Sequence, residues 1–388
     1  MKPLQFSFRY KTSIVKKFRV NLRQNPMYDL IIVGGGIVGL TVLKEAIQNQ
    51  LKVLLIDAQE VGKNTSYAAA GMLAPINELE HGEEELLFAG IKSVPLYLEY
   101  ERVLGDIGLS QKGTLEIALT SQDAQYLKRE WEYRQNLGLK VQWLNKNELL
   151  EKEPFLSPNI YGGIYTDSEW QIDNRLLLQK LKSWALLQGA EIQEFQKIID
   201  WGFHRTHLSV SSGQHTWQSQ NIIFCMGYLP EEIFPLPYVV YPIKGQMLSV
   251  KPNPQYLSLE HVIRFKTRTL GNGYIVPKKD RIILGATNEE MGNDTTVTAG
   301  GIMDILRKCY AAVPAIYDLE ILETWVGLRP SSQDRHPFIL KAHQKNVFYM
   351  NGFYRNGFCL SPLFAKNFIK ILKNQSIDPE IQPFIKFL

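Results

Sequence analysis

The feature that most constrains this fold is a glycine-rich turn between a short apolar strand and a helix. Leu30–Val33 is a continuous apolar run, the pattern of a parallel strand buried on both faces. Apolar residues then recur at helical spacing from Ile37 to Gln50, and Val53–Ile56 is a second apolar run that ends at Asp57. Because the order is strand, helix, strand, the segment predicts a βαβ unit with a right-handed crossover.

The turn itself has the spacing GxGxxG. Its residues are Gly34, Gly35, Gly36, Ile37, Val38 and Gly39. The first glycine permits the tight turn, the second lets the backbone approach a pyrophosphate, and the last lets the helix pack against the sheet. The helix N-terminus offers N–H groups to phosphates, and Asp57 can accept hydrogen bonds from ribose hydroxyls. The unit predicts a dinucleotide site, with a purely structural turn as the alternative. The glycines alone do not distinguish FAD from NAD.

Composition and charge exclude several classes of protein. The 388 residues are enough for two cores, and 45% hydrophobic with 21% charged residues is typical of globular proteins. A net charge of +4 does not favour nucleic acid, and no apolar run reaches the roughly 18 residues of a transmembrane helix. The three cysteines lack metal-ligand spacing and cannot all pair. We therefore expect free thiols, no metal site, and a reducing, cytoplasmic location.

Residues 1–26 form a basic extension that contains seven Lys and Arg residues but no Asp or Glu. The favoured interpretation is an upstream start codon or a disordered extension, with Met27 opening the folded protein. A transit peptide is the first alternative. A basic arm that contacts anionic lipid or RNA is the second.

The middle of the chain predicts a second domain with an antiparallel sheet. Its strand-like runs are Gly113–Thr120, Tyr241–Val250, Gly273–Pro277 and Arg281–Ala286, and 122–137 has the pattern of a polar helix. No linker separates the two halves. The predicted fold class is α/β plus α+β, with a Rossmann-like domain interleaved with the antiparallel domain. We expect the dinucleotide-binding domain to comprise 27–110, 166–235 and 322–388, and the substrate-binding domain to comprise 111–165 and 236–321.

Five further motifs carry a family resemblance. They are Thr65–Met72 (TSYAAAGM), Tyr241–Gln246 (YPIKGQ), Gly273–Pro277 (GYIVP), Thr324–Pro330 (TWVGLRP) and Tyr354–Phe358 (YRNGF). In this order they resemble the D-amino-acid-oxidase superfamily of FAD enzymes, and within it the glycine oxidases of the ThiO type. The resemblance extends from about Tyr28 to about Ile371. It implies that the dinucleotide is FAD, with its ring facing the antiparallel domain.

The resemblance also implies roles for individual residues. Those matched to cofactor contacts are Gly34, Gly36, Ile37, Val38, Gly39, Asp57, Thr65, Ser66, Ala69, Gly71, Met72, Gly227, Arg355, Asn356 and Gly357. Those matched to catalysis are Tyr274, Arg329 and Arg355. Arg329 corresponds to an arginine that binds the substrate carboxylate through two charge-assisted hydrogen bonds, and Tyr274 to a tyrosine that reaches the same carboxylate. The alternatives are an alanine-rich helix start at 65–72, a surface arginine and an ordinary strand tyrosine.

Three segments depart from the family pattern. Met226–Gly227 stands where a Thr-Gly pair is common, Phe353–Tyr354 where a histidine is frequent, and Ser331–Ser332 where a glycine-containing turn is usual. The cofactor contact near Gly227 and the substrate are the features that these differences affect.

The activity implied is oxidative deamination of glycine or another small amino acid or amine. Hydride passes to flavin N5, molecular oxygen is reduced to hydrogen peroxide, and water hydrolyses the imine to an oxo acid and ammonia. Thiamine biosynthesis is the implied pathway. The alternatives are a D-amino-acid dehydrogenase, a sarcosine-type oxidase, a tRNA-modifying flavoenzyme and a non-catalytic flavin-binding subunit. Homo-oligomerisation is left open.

Overall fold

The computed structural model describes residues 27–228, 239–267, 270–343 and 346–387. The predictions for the basic extension at 1–26 lie outside these ranges. In chain order the strands are β1 Met27–Val33, β2 Val53–Ile56, β3 Met72–Leu73, β4 Thr114–Ile117, β5 Gln142–Leu144, β6 Gly163–Thr166, β7 Trp170–Gln171, β8 Glu191–Gln193, β9 Asp200–Phe203, β10 Leu208–Ser211, β11 Thr216–Phe224, β12 Val240–Val250, β13 Val262–Thr267, β14 Gly271–Pro277, β15 Ile282–Gly285, β16 Ile321–Ser332, β17 Phe338–Lys341, β18 Val347–Asn351 and β19 Ile385–Phe387.

The helices alternate with these strands. They are α1 Ile37–Gln48, α2 Thr65–Ala68, α3 Glu84–Ser93, α4 Tyr97–Leu104, α5 Ser121–Asn136, α6 Lys146–Lys152, α7 Asn174–Leu187, α8 Ala299–Ala312 and α9 Gly357–Leu372. Short 3-10 turns occupy Val94–Leu96, Pro314–Asp318 and Pro379–Phe384. Within the described ranges, no helix has both the length and the apolar character needed to cross a membrane.

The first sheet has the strand order β19-β17-β18-β11-β1-β2-β8, and the hairpin β9–β10 extends from β11. Its centre is parallel, with Ile32 of β1 opposite Ile223 of β11 and Leu55 of β2. Helices α1, α7 and α9 contribute to the core on one face. The other face packs against apolar residues of the β9–β10 hairpin. The predicted βαβ unit is thus confirmed, and its two strands are buried on both faces.

The second sheet has the order β16-β12-β15-β14-β13-β4-β6-β5. All neighbours pair antiparallel except β13 and β4, which are parallel. Side chains of α8 such as Ile305 and Cys309 pack under one face with Leu248 and Leu284. The opposite face is turned toward the first domain. The predicted combination of a Rossmann-like domain with an interleaved antiparallel domain is confirmed.

The strand pairing favours a different position for one predicted domain limit. The boundary at 322 assigned most of β16 to the dinucleotide-binding domain, but β16 pairs with β12 along its length. The apolar and aromatic residues of 321–332 suit either sheet, and only the pairing partner decides between them. We therefore propose a limit after Ser332. The other limits remain proposals.

Candidate active site

A cavity of about 750 Å³ lies between the two sheets. It extends from the β1–α1 turn to the open face of the antiparallel sheet, and its volume is in the range of roughly 300–1,000 Å³ expected of ligand pockets. The predicted site residues that line it are Gly34, Gly36, Ile37, Val38, Asp57, Thr65, Ser66, Ala69, Gly71, Met72, Gly227, Tyr274, Arg329, Arg355, Asn356 and Gly357. Segments far apart in sequence therefore share one space.

The glycine-rich turn forms one end of the cavity. Gly34 has a φ of +107°, which L side chains rarely adopt. Helix α1 starts after Gly36 with no side-chain cap and no acidic residue in its first turn. The first N–H group, that of Ile37, donates to Ser66 Oγ at 2.9 Å. This helix terminus keeps a positive end directed at the cavity, as an anionic phosphate group requires.

Gly39 does not line the cavity, and its role is in packing. A Cβ atom at this position would come 1.9 Å from the carbonyl oxygen of Gly34. Helix α1 can lie against the turn only because this side chain is missing. The predicted task of the third glycine, close helix–strand packing, matches this contact.

Asp57 follows β2 and is held by the backbone of the turn. Its Oδ2 accepts a hydrogen bond from the N–H of Gly35 at 2.5 Å, and its Oδ1 accepts one from Gln59 at 2.8 Å. Burial raises the pKa of this carboxyl group, and the backbone donors only partly oppose the effect. A ribose hydroxyl at this wall would add a donor to the carboxylate.

The segment 65–72 begins with helix α2 and is attached to the second sheet. Thr65 donates from Oγ1 to the carbonyl of Leu328 at 2.8 Å, and Trp325 donates from Nε1 to the carbonyl of Ala68 at 2.9 Å. A helix start and a cavity-lining loop, considered as alternatives from the sequence, are both present. Gly71 is required by packing as well, because a Cβ atom there would come 2.2 Å from the carbonyl of Ile172.

A second helix N-terminus opens onto the cavity. Helix α9 begins after Asn356, with no side-chain cap and no acid in its first turn. The preceding segment is attached to β16, because the N–H of Tyr354 donates to the carbonyl of Pro330 at 2.8 Å. Asn356 and Gly357 line the cavity wall, although the N–H of Asn356 donates to the carbonyl of Phe353 at 2.7 Å. The start of the helix thus directs a positive dipole end at the cavity.

Arg329 extends from β16 across its neighbour β12. Its guanidinium group lies over Gly245, where a Cβ atom would come within 2.4 Å of Nη2. It donates to the carbonyl oxygens of Thr287 at 3.2 Å and Lys244 at 3.4 Å. Among the described residues no carboxylate forms an ion pair with it. Arg329 is thus a positioned cation at the cavity wall whose charge is not neutralised.

Tyr274 reaches the same place from the other side. Its ring lies over Gly285 of β15, and its hydroxyl is 3.0 Å from the Sδ atom of Met247. Met247 and Gly245 are two positions apart on one face of β12, so the hydroxyl and the guanidinium group lie above adjacent positions of the same strand. Burial raises the pKa of Tyr274 to about 12, although the charge of Arg329 acts in the opposite direction.

Arg355 has a different environment. Its guanidinium group pairs with Glu78 at 2.7 Å, Glu80 at 2.8 Å and Glu83 at 3.2 Å. Burial lowers the pKa of Arg355, but these carboxylates outweigh that effect and raise it overall. The three glutamates already neutralise the charge of Arg355. This supports a role for Arg355 in positioning the 78–83 loop, and it argues against direct contact with a substrate carboxylate.

Glu78 connects this loop to the second sheet. It forms a short hydrogen bond with Arg264 of β13 in addition to its contact with Arg355. Burial raises the pKa of Glu78, but the two guanidinium groups outweigh burial and lower the pKa to about 2. Glu78 is thus an ionised, doubly paired carboxylate, which makes it a poor proton acceptor.

Comparison with known proteins identifies the family. A family model described as FAD dependent oxidoreductase matches residues 29–370. The chain belongs to this family. A glycine oxidase from Geobacillus kaustophilus is 29% identical over 368 residues, which cover 92% of this chain and 96% of that relative. A crystal structure of glycine oxidase from the same species has a TM-score of 0.83 over 92% of this chain and 98% of its own.

A second relative has a different length. The bifunctional protein ThiO/ThiG of Synechocystis is 29% identical over 374 residues, which cover 92% of this chain but 53% of that protein. The present FAD-dependent oxidoreductase therefore spans about half of this bifunctional relative. The resemblance to the D-amino-acid-oxidase superfamily and its glycine oxidases is confirmed.

The cofactor of this oxidoreductase is FAD, and the cavity fits it. The two uncapped helix termini of α1 and α9 line the same cavity, one at the glycine turn and one beside the antiparallel sheet. A dinucleotide needs positive potential at the pyrophosphate, and a flavin ring needs it where negative charge develops on reduction. The two helix termini therefore suit the two parts of FAD.

Several residues of the site were not identified from the sequence. In the sequence, Gly245 is recognisable only as part of the motif Tyr241–Gln246, although the space it leaves determines where Arg329 can lie. Trp325 and Arg264 were also missed. Only pairing between distant strands brings these residues to the cavity. The one sequence signal that could have identified two of them is that Gly245 and Trp325 lie within the family motifs.

Proposed function

We propose that this FAD-dependent oxidoreductase oxidises the α-carbon of a small amino acid or amine, with glycine as the first candidate. The observation that carries this proposal is the unpaired guanidinium group of Arg329 beside the hydroxyl of Tyr274. A cation and a neutral donor over adjacent strand positions suit a carboxylate. The glycine oxidases among the relatives support the choice of glycine.

In this proposal the chain binds the substrate and orients it for oxidation. Arg329 and Tyr274, whose side chains lie over Gly245 and Gly285, hold the carboxylate. FAD supplies the two-electron acceptor that takes hydride from the α-carbon and transfers the electrons to oxygen, giving hydrogen peroxide. The imine is then hydrolysed by water to the oxo acid and ammonia. Orientation of the α-carbon is the main contribution of the protein.

No side chain is assigned as a general base. Tyr274 stays protonated because its pKa is raised to about 12. Glu78 and Glu80 are engaged by Arg355. The amine therefore binds in its neutral form, and the alkaline form of the substrate is the reactive one.

Thiamine biosynthesis is the proposed pathway because relatives carry that assignment. One is named a putative thiamine biosynthesis oxidoreductase ThiO, from Rhizobium etli, and is 27% identical over 353 residues. A strain that lacks this gene should then require thiamine for growth. Growth without thiamine would contradict the pathway and leave the amine oxidation untouched.

The reaction is tested by anaerobic titration of the FAD-loaded protein with glycine, sarcosine, D-alanine and D-proline. We expect at least one of them to bleach the flavin absorbance, and air to restore it with release of peroxide. Bleaching that air does not reverse would favour a dehydrogenase that uses another acceptor. Absence of bleaching by every amine would contradict the proposal.

Arg329→Ala tests the carboxylate contact. Loss of a bidentate charge-assisted contact should lower kcat/KM by about 10²-fold or more. Arg329→Lys should recover little, because an ammonium group cannot form two parallel bonds. Arg129→Ala, on the exposed surface of α5, is the matched control.

A further inference from the structure

The substrate end of the cavity carries more positive charge than one amino acid needs. The cationic side chains there are Arg264, Lys266, Arg329, Arg335 and Arg355, and the carboxylates are Glu78 and Glu80. The excess persists after the ion pairs are assigned. Glu78 pairs with Arg264 and Arg355, Glu80 with Arg355 and Arg335, and Glu83 with Arg355, which leaves Arg329 and Lys266 without a direct ion pair. An α-carboxylate on Arg329 accounts for one cation only.

Lys266 is the second cation that forms no direct ion pair with a described residue. It lies on β13 and lines the cavity, and no hydrogen bond or ion pair connects it to any other described residue. Its neighbour on the same face, Arg264, is instead held by Glu78. The carboxylates of Glu78 and Glu116 act on Lys266 at longer range, but each of them directly contacts an arginine. A half-buried lysine without a direct ion pair in a cleft attracts anions.

Sheet register places Lys266 across the site from Arg329. Lys266 is opposite Asn272 on β14, two residues before Tyr274 on the same face. Arg329 covers Gly245 of β12. Strands β12 and β13 are three steps apart, which is about 14 Å at the usual strand spacing. The two long side chains reach over this distance from opposite sides, with Tyr274 between them.

Asn272 adds a neutral donor to the same end. It is exposed to the cavity, and its side-chain amide has no hydrogen bond within the described part of the chain. An amide beside an ammonium group can donate to a second anionic oxygen. Lys266 and Asn272 thus mirror Arg329 and Tyr274, one cation and one neutral donor on each side.

We propose that Lys266 and Asn272 form a second anion subsite, so that the preferred substrate is a small amine with two carboxylates. This inference rests on the proposed function for the first carboxylate and for the oxidation itself. The reaction is unchanged: the C–H bond next to nitrogen breaks, its two electrons reach oxygen through FAD, and water cleaves the resulting C=N bond. Only the recognition of the substrate is extended, by a second site for a carboxylate.

Binding without turnover tests the subsite directly. The FAD-loaded protein is titrated with acetate, propionate, malonate and succinate while the flavin absorption spectrum is monitored. We expect one or both dicarboxylates to bind at least tenfold more tightly than the matching monocarboxylate. In Lys266→Met this ratio should fall to near one, and Lys266→Arg should retain most of it. Equal affinities in the wild type would overturn the proposal.

Turnover gives the second measurement. The ratios of kcat/KM for iminodiacetate over sarcosine, and for D-aspartate over D-alanine, should exceed one in the wild type for at least one pair and decrease about tenfold or more in Lys266→Met. Lys251→Met removes an exposed cation far from the cavity and should leave the ratios unchanged. A uniform decrease for all substrates in Lys266→Met would show a general charge effect and overturn the subsite.

The two proposals fail in different ways. If no amine reduces the flavin but dicarboxylates still bind more tightly through Lys266, the oxidation is wrong and the subsite stands. If glycine or sarcosine is oxidised while one and two carboxylates bind equally, the proposed function stands and the subsite is wrong.

Discussion

The guanidinium group of Arg329 lies over the backbone of Gly245 on the adjacent strand, and a methyl group at 245 would come 2.4 Å from its Nη2 atom. The Arg329 side chain can therefore occupy this position only because residue 245 is glycine. A flexible cation is held flat against the sheet, where the carbonyl groups of Lys244 and Thr287 accept its N–H groups. Arg329 also lines the cavity.

Gly245→Ala should displace this arginine without unfolding the protein. Because a misplacement of about 1 Å in a binding group can cost about 10²-fold in rate, kcat/KM should fall by that order. Steady-state kinetics and the flavin spectrum measure the effect and the retention of FAD. Gly202→Ala is the matched control, since a Cβ atom at that strand position meets nothing closer than 3.6 Å. Normal kinetics in Gly245→Ala would contradict the assigned position of Arg329.

Tyr274→Phe should lower kcat/KM by a factor that does not change with pH. Burial raises the pKa of the hydroxyl to about 12, so the protonated donor persists throughout neutral and alkaline conditions. Loss of one hydrogen bond to a charged group, worth about 1.5–3 kcal/mol, predicts a decrease of about tenfold or more. The wild-type to variant ratio is measured between about pH 6 and pH 10. A ratio that approaches one above pH 9 would mean that Tyr274 ionises in this range.

Gly39→Ala should prevent stable FAD binding. Its methyl group would come 1.9 Å from the carbonyl oxygen of Gly34, which forces the helix away from the turn. The expected result is a colourless or partly loaded protein with a lower Tm. Gly300→Ala, in the first turn of α8 with open space around its Cβ position, should keep full FAD content. A fully loaded Gly39→Ala protein would show that the turn tolerates displacement.

A buried ion pair behind the cavity should make a large contribution to stability. Arg134 of α5 contacts Glu116 of β4 at 2.9 Å, and both side chains are about 1% exposed or less. Removal of one partner leaves an uncompensated buried charge, so Arg134→Met should lower the free energy of unfolding by about 3–5 kcal/mol. Urea denaturation measures the change. Arg129→Met, on the exposed face of the same helix, should change stability by no more than about 0.5 kcal/mol.

The ionised carboxylate of Glu78 should increase the free energy of unfolding at neutral pH, and this contribution should disappear in acid. Its pKa is lowered to about 2 by Arg264 and Arg355 against the effect of burial, so the folded state favours the ionised form. The contribution is present above the unfolded pKa near 4.5 and is lost as pH falls toward 2. The difference in unfolding free energy between wild type and Glu78→Gln should be on the order of 2 kcal/mol at pH 7 and shrink below pH 4.5. A constant difference down to pH 3.5 would contradict this assignment.

The sequence by itself determined the dinucleotide unit and the fold class, and its resemblance to a family implied FAD. Local chain chemistry suffices for the dinucleotide unit, because a buried strand, a glycine turn and an amphipathic helix are adjacent in sequence and form one unit. The sequence also identified Tyr274 and Arg329 as candidate site residues, because each lies in a short segment that resembles a family motif.

Only the tertiary structure decided how these segments meet. Strand pairing put β16 beside β12, which placed Arg329 over Gly245 and favours a domain limit after β16. It also engaged Arg355 with three glutamates and left Lys266 unpaired among the described residues. Ion pairing depends on distances between residues that are far apart in the chain, and such distances are set by sheet register and not by local sequence.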